Sequence, residues 1–425
     1  MPTEPQSNKP HKTAAPGPRP HACSRRLALP PLALALALIL LACAPRPLST
    51  RGSVKVRADV PDAELAQTAA KLSGLSYSEL SPQGSWRRQL EARSGAPDLV
   101  LVDRDRELDA SAAAGELADI SRYWARLSSI PAMRKSLASS LVAADAKAHY
   151  FLPTSLYPWG LFYNIAILKG AGIAPPSTLA ELEDSFGHLA GKGITPLALG
   201  ASYGWPALAW LSILDIRQNG AAAHRLLLEG KRSFDDPGLL EVCATLERWR
   251  DRGYFPANAA KLGWNDALGA VDNGSAAFAF LSASALAAYR RKSALGFMAL
   301  PPGRSADGRG ELAIVRGFAL SAHASAPQAA LALADAYALD GAPGQTTEPW
   351  TLPAVAQEGP GEKEGFRAAE ARILDGASEV LPQLDWALPA QAAIDARAAM
   401  TRFFEKRGGM SSGELAAALA KAAAR

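Results

Sequence analysis

The segment Pro97-Asp-Leu-Val-Leu-Val-Asp103 is an uninterrupted apolar run closed by an acid. A strand covered on both faces reads this way, and such strands belong to parallel sheets packed between helices. Ile194–Gly200 (ITPLALG) is a second run of the same kind, while Ser53–Ala58 (SVKVRA) alternates and Ser76–Leu80 is a further candidate strand. Helical signatures stand between them, over Pro61–Ser73 and Ser85–Ser94. Thr178-Leu-Ala-Glu181 has the form of a capping box, and the helix it opens carries Leu179, Leu182, Phe186 and Leu189 on one stripe before Gly191 or Gly193 ends it. Asp236-Pro237 is an N-cap with proline in the first turn, in a helix that ends at Gly253. Ser325 caps a helix to about Leu339, Gly341–Gly361 reads as a loop, and Met410–Arg425 is an Ala-rich helix. Strand runs alternating with helices define an α/β fold. With 425 residues, the chain exceeds the roughly 250–300 at which one core stops growing, so two lobes are expected. Open α/β sheets bind ligands past the carboxyl ends of their strands, which singles out Asp103 and Arg104.

The front of the chain is a targeting segment. Residues 1–26 are polar and end in Ser24-Arg25-Arg26, and Leu27–Ala42 is an uncharged Leu/Ala run of 16 residues broken by Pro30 and Pro31. That is shorter than the ~20 residues a membrane-spanning helix needs, and it has the form of a secretory signal core. It ends Leu40-Leu41-Ala42-Cys43, the pattern of a lipoprotein signal box. Cleavage after the small Ala42 would leave Cys43 as an acylated N-terminus, and several acyl chains give stable anchoring. Arg46–Gly52 would then be a tether. Removal of residues 1–42 takes away five cations and one anion, leaving 40 of each. The mature chain is therefore neutral and lacks the basic excess of a nucleic-acid binder.

Several chemistries are disfavoured by pattern. The six histidines are scattered, with no HExxH and no paired cysteines for a metal. No P-loop and no GxGxxG after a strand is present. Cys243 shares a helical face with Leu239, Leu246 and Trp249 and reads as a small core residue. One enzymatic motif occurs: Gly200-Ala-Ser202-Tyr-Gly204 is G-x-S-x-G after a strand, the context of a nucleophile elbow, with His224 or His323 as a base. The same residues serve equally as a turn that uses glycine for backbone freedom.

The aromatic residues carry more weight. Tyr157-Pro-Trp159-Gly, Gly-Trp205-Pro and Trp350 before Thr-Leu-Pro read as loop starts, with Trp210 a turn after Trp205. Flat indole faces suit the C–H faces of sugar rings, and their grouping in strand-end loops points to a ligand cleft. Trp124 and Trp249, inside amphipathic helices, read as core.

In the order and spacing of Tyr150–Gly172, Ile194–Trp210, Ser233–Ala279, Gly317–Leu333 and Leu352-Pro-Ala, the chain resembles the family 1 extracellular solute-binding proteins of bacterial ABC transporters, mostly sugar binders. The resemblance implies a two-lobed periplasmic-binding-protein fold of type II-like form, each lobe a mainly parallel sheet flanked by helices. It implies hinge crossovers near Pro153–Tyr157, Arg316–Gly317 and Trp350–Leu352. Residues 53–153 with 317–349 would form one lobe and 154–316 with 350–425 the other. It places Leu281–Ser284 where the family often has a Gly-Ser-Trp turn; no tryptophan stands there, but Ser282 and Ser284 keep hydroxyls. The first strand likewise lacks the family's aromatic pair and offers only Asp59. The expected ligand-binding set is Asp103, Arg104, Tyr157, Trp159, Trp205, Trp210, Ser282, Ser284, Arg316, Trp350 and Trp386, with Cys43 the lipidation site. No catalytic residue, cofactor or metal is expected. The expected partners are a small polar solute, permease subunits and, through the anchor, a membrane, with the chain itself a monomer. Three alternatives stay open: a non-sugar solute, a Ser202 esterase, and a surface interaction lipoprotein with a degenerate cleft.

Overall fold

The computed structural model describes residues 47–424 apart from 59–62, 82–83, 93–94, 141–147, 287–294, 306–308, 341–351 and 354–364. The signal segment, Cys43, Asp59 and Trp350 lie outside the described residues.

Strands β1 (Gly52–Ala58), β2 (Leu75–Leu80) and β3 (Leu99–Asp103) form a parallel set with β1 in the middle. Next comes β4 (Phe151–Asn164), which takes part in two sheets. β5 (Thr195–Ala198), β6 (Ala276–Ser282) and β7 (Leu295–Met298) belong to the second sheet, and β8 (Gly310–Leu320) returns to the first. The short β9 (Leu352–Pro353) and β10 (Glu379–Leu381) lie against β4 and the start of β8. The path runs β2-β1-β3-β8-β4-β6-β5, so each wing is parallel and the long strands β4 and β8 are antiparallel to their neighbours on this path, while β10 adds to β8 in parallel.

Both faces of each sheet are covered, as the uninterrupted apolar runs require. Alternate residues of β3 go to opposite sides. Leu99 and Leu101 pack with Val54, Phe318 and Tyr337, while Val100 and Val102 pack with Trp86, Leu108, Val315 and Val380. In the second sheet, Leu161, Phe278 and Phe280 face Trp210, Trp249 and Phe186, and Phe162, Ala279 and Leu281 face Leu268, Val271 and Phe297.

β4 departs from expectation. Tyr157–Gly160 read as a loop start, yet it lies inside a continuous strand of 14 residues. Its prolines stand where a missing N–H costs least. Pro153 is at the register shift against β8, and Pro158 pairs with Ala313 one residue before the partner changes to β6 at Trp159↔Ser282.

The helix caps hold with two differences. Asp236 accepts from the amides of Gly238 and Leu239 at 3.0 and 3.2 Å, and the helix runs Pro237–Asp251. Thr178 accepts from Glu181 N at 3.1 Å, but Glu181 reaches back to Ser177 rather than to Thr178. Ser325 bonds through both its amide and its hydroxyl to the buried Asp98. The Ser85–Ser94 helix is shorter than read, Trp86–Leu90.

One buried ion pair ties the second half to β8. Arg217, on the helix Trp205–Asn219, donates to Leu300 O at 2.9 Å, Gly310 O at 2.7 Å and both Glu311 carboxylate oxygens at 2.6 and 2.7 Å. Burial pushes the Glu311 carboxyl above its usual range even beside this cation. Removing one partner of such a pair strands the other, so Arg217→Met should cost about 3–5 kcal/mol at neutral pH. An acid whose pKa is raised by folding destabilises the folded state as pH rises. The deficit should therefore shrink in acid as Glu311 takes up a proton. Urea unfolding of both proteins at neutral and acidic pH checks this, and an equal deficit at the two pH values would contradict it.

Candidate ligand cavity

Two glycine contacts set the geometry of the site. Gly204 has φ +72° and caps the helix Trp205–Asn219; a Cβ there would collide with the backbone of Arg397. A Cβ at Gly200 would collide with the backbone of Gly263, which caps the helix Trp264–Asp272. Only residues without side chains let these three backbones meet. As a result Trp205 and Trp264, each the first residue of its helix, and Arg397 on the helix Ala390–Phe403 converge on one cavity of about 370 Å³. That lies within the range of small-molecule sites.

Four indoles share the lining. Trp159 enters from β4, with its ring 5.8 Å from that of Trp205 in an edge-to-face arrangement and 5.5 Å from Phe280. Trp386 comes from the short helix Leu384–Ala387, which the Leu384 amide fastens to the Ser212 hydroxyl at 3.0 Å. Ser282 and Ser284 supply hydroxyls at the end of β6, 3.1 Å apart. Gln383 and Arg397 complete the polar lining. Behind them Asp385 is buried and accepts from Arg397 Nε at 2.6 Å and Gln383 Nε2 at 2.7 Å. Burial pushes the Asp385 carboxyl up, against the opposing pull of Arg397.

Ile314 joins this cavity to a second group. On β8, Ala313 and Val315 face the core, so Ile314 and Arg316 share the opposite, half-buried face. Arg316 Nε donates to Asp103 Oδ1 at 2.8 Å, and its guanidinium stands 5.7 Å from the Tyr157 ring centre. Tyr157 pairs with Ile314 in the ladder. Asp103, Tyr157 and Arg316 thus extend the cavity's face along the shared strands.

Of the expected residues, Trp159, Trp205, Ser282, Ser284 and Trp386 line the cavity, and Asp103, Tyr157 and Arg316 stand together beside it. Arg104 donates to Asp109 at 3.1 Å on the following helix. Trp210 is a correction. It is fully buried, ringed by Trp249, Phe255 and Phe280, and does not line this cavity. Trp264, Gln383 and Arg397 were not foreseen. The repeated Gly-Trp at a helix start, Gly204-Trp205 and Gly263-Trp264, was the available signal for the first; nothing local marked the other two.

The G-x-S-x-G segment holds backbone contacts, with the Ser202 amide donating to Leu262 O at 3.1 Å. His224 is buried and committed to Asp215 at 2.9 Å. No hydrogen bond between Ser202 and a histidine occurs among the described residues. Burial pushes the Cys243 thiol up to about 12, which leaves it protonated and inert. Among the described residues no cluster of three or more His, Cys, Asp or Glu could hold a metal, and no helix is long and apolar enough to cross a membrane.

Solved structures of like fold include the bacterial solute receptor AcbH, described as exclusive for β-D-galactopyranose (TM-score 0.74, 19% identity, 88% of this chain and 97% of that one). A probable secreted solute-binding lipoprotein from Streptomyces coelicolor superposes at TM-score 0.71 with 20% identity, over 88% and 98% of the two chains. The GacH receptor of Streptomyces glaucescens, solved unliganded and with acarbose, does so at 0.67 with 21% identity, over 88% and 98%. An uncharacterized ABC transporter extracellular-binding protein of Pyrococcus horikoshii is 26% identical over 191 residues, and the match spans 44% of this chain and 42% of that protein. These likenesses agree with a two-lobed α/β fold of the periplasmic-binding-protein kind. Residues 71–342 match the bacterial extracellular solute-binding protein family, and the chain belongs to that family.

Proposed function

We propose that the protein is a lipid-anchored receptor that captures a small carbohydrate outside the cytoplasmic membrane and delivers it to the permease of an ABC importer. The observation that carries this reading is the convergence of Trp159, Trp205, Trp264 and Trp386 on one cavity with two serines, Gln383 and Arg397. Indole faces take the C–H faces of a sugar ring, and the polar groups take its hydroxyls. We place one lobe at 53–153 with 317–349 and the other at 154–316 with 350–425. The shared strands β4 and β8 are then the hinge, and the Asp103–Tyr157–Arg316 group lies where the lobes would close on the solute. The anchor is Cys43, which follows the Leu-Leu-Ala signal box.

A solute that binds only the folded state stabilises it by mass action, by about 2.7 kcal/mol at a hundred times Kd. A thermal-shift panel of mono- and oligosaccharides should therefore contain at least one that raises the melting temperature. A panel with no shift would contradict carbohydrate capture. Trp205→Ala should lower affinity for the hit tenfold or more, since it removes a stacking face worth about 0.5–1.5 kcal/mol beyond the lost area. Trp210→Ala should instead cost about 3–5 kcal/mol of stability and leave the affinity of the folded fraction unchanged. Calorimetry and melting on the same preparations separate the two. Cys43→Ser should abolish acylation and release the protein from the detergent phase; continued partition into detergent would refute the anchor.

A further inference from the structure

We infer that the solute carries an acidic group, so that the cavity takes a sugar acid in preference to its neutral parent. The inference rests on the capture reading above and narrows its substrate class. Arg397 lines the cavity and spends its Nε on Asp385 at 2.6 Å, which leaves the outer edge of the guanidinium uncommitted. The two terminal nitrogens on that edge have no hydrogen-bond partner among the described residues. Among the described residues no Asp or Glu lines the cavity to meet them. Asp385 does not fill the role from behind, because it is fully buried and its two oxygens are taken by Arg397 and Gln383. A guanidinium edge with two parallel N–H groups matches the two oxygens of a carboxylate.

The rest of the lining fixes what accompanies that carboxylate. Ser282 and Ser284 bring hydroxyls to the cavity, and four indoles bring flat faces. One molecule that offers a carboxylate to Arg397, hydroxyls to the two serines and C–H faces to the indoles is a uronic or aldonic acid.

Calorimetry on the purified protein with D-galacturonate against D-galactose, and D-glucuronate against D-glucose, tests this. At low ionic strength at least one acid should bind tenfold or more tightly than its parent. Arg397→Gln alone strands the Asp385 carboxylate, so the double variant Arg397→Gln/Asp385→Asn is the companion, with its melting temperature recorded. In that variant the preference should fall to threefold or less. Parents that bind as tightly as the acids would overturn the inference and leave carbohydrate capture standing. A preference that survives in the folded double variant would overturn the role of Arg397. Absence of binding by acids and neutral mono- and oligosaccharides alike to the folded protein would overturn both readings.

Discussion

The arrangement depends on one backbone constraint: β4 belongs to two sheets. Its first half is laddered to β8 and its second half to β6 and β7. A strand that changes partner must do so at a residue that can forgo a ladder bond, and Pro158 occupies that step. Trp159 is the first residue beyond it, which brings its indole to the boundary between the sheets. β8 runs beside the first half of β4, with Ile314 and Arg316 on the face that continues from the cavity towards the first sheet.

Protein interiors close over empty space unless something holds the walls apart. Here the walls are held by groups with other obligations. Glycine-to-backbone contacts at Gly200 and Gly204 fix the starts of two helices, so Trp205 and Trp264 cannot retreat into the core. Trp159 is pinned by its ladder to Ser282, and Arg397 by the buried Asp385. The void is therefore the residue of several independent constraints. Arg217 and Glu311 add a buried polar tie between the helix that carries Trp205 and the start of β8.

Much of this was legible in the chain. The doubly buried strands and the proline and aspartate caps are local patterns, and they held because local chemistry and tertiary packing agree. The aromatic set was legible in kind but not in every member. Trp205 and Trp210 are five residues apart in one helix, which separates their directions by about 140°. One indole can face the cavity only if the other faces away, and Trp210 is in the core. β4 was hidden because its two prolines signal loops, and only the partners on either side explain why a strand tolerates them. Gln383 and Arg397 were invisible because what selects them is a buried carboxylate between them in sequence, Asp385, whose role depends on a fold that brings the helix Ala390–Phe403 against the start of the helix Trp205–Asn219.

Solute held in the space among the four indoles would leave the core tryptophans undisturbed. Fluorine NMR of protein labelled with 5-fluorotryptophan reports on all nine tryptophans at once, with each resonance assigned by single substitution. On saturation with a bound carbohydrate, the resonances of Trp159, Trp205, Trp264 and Trp386 should shift, while those of the core residues Trp210 and Trp249 stay in place. Binding that moves none of the four cavity resonances would contradict the account.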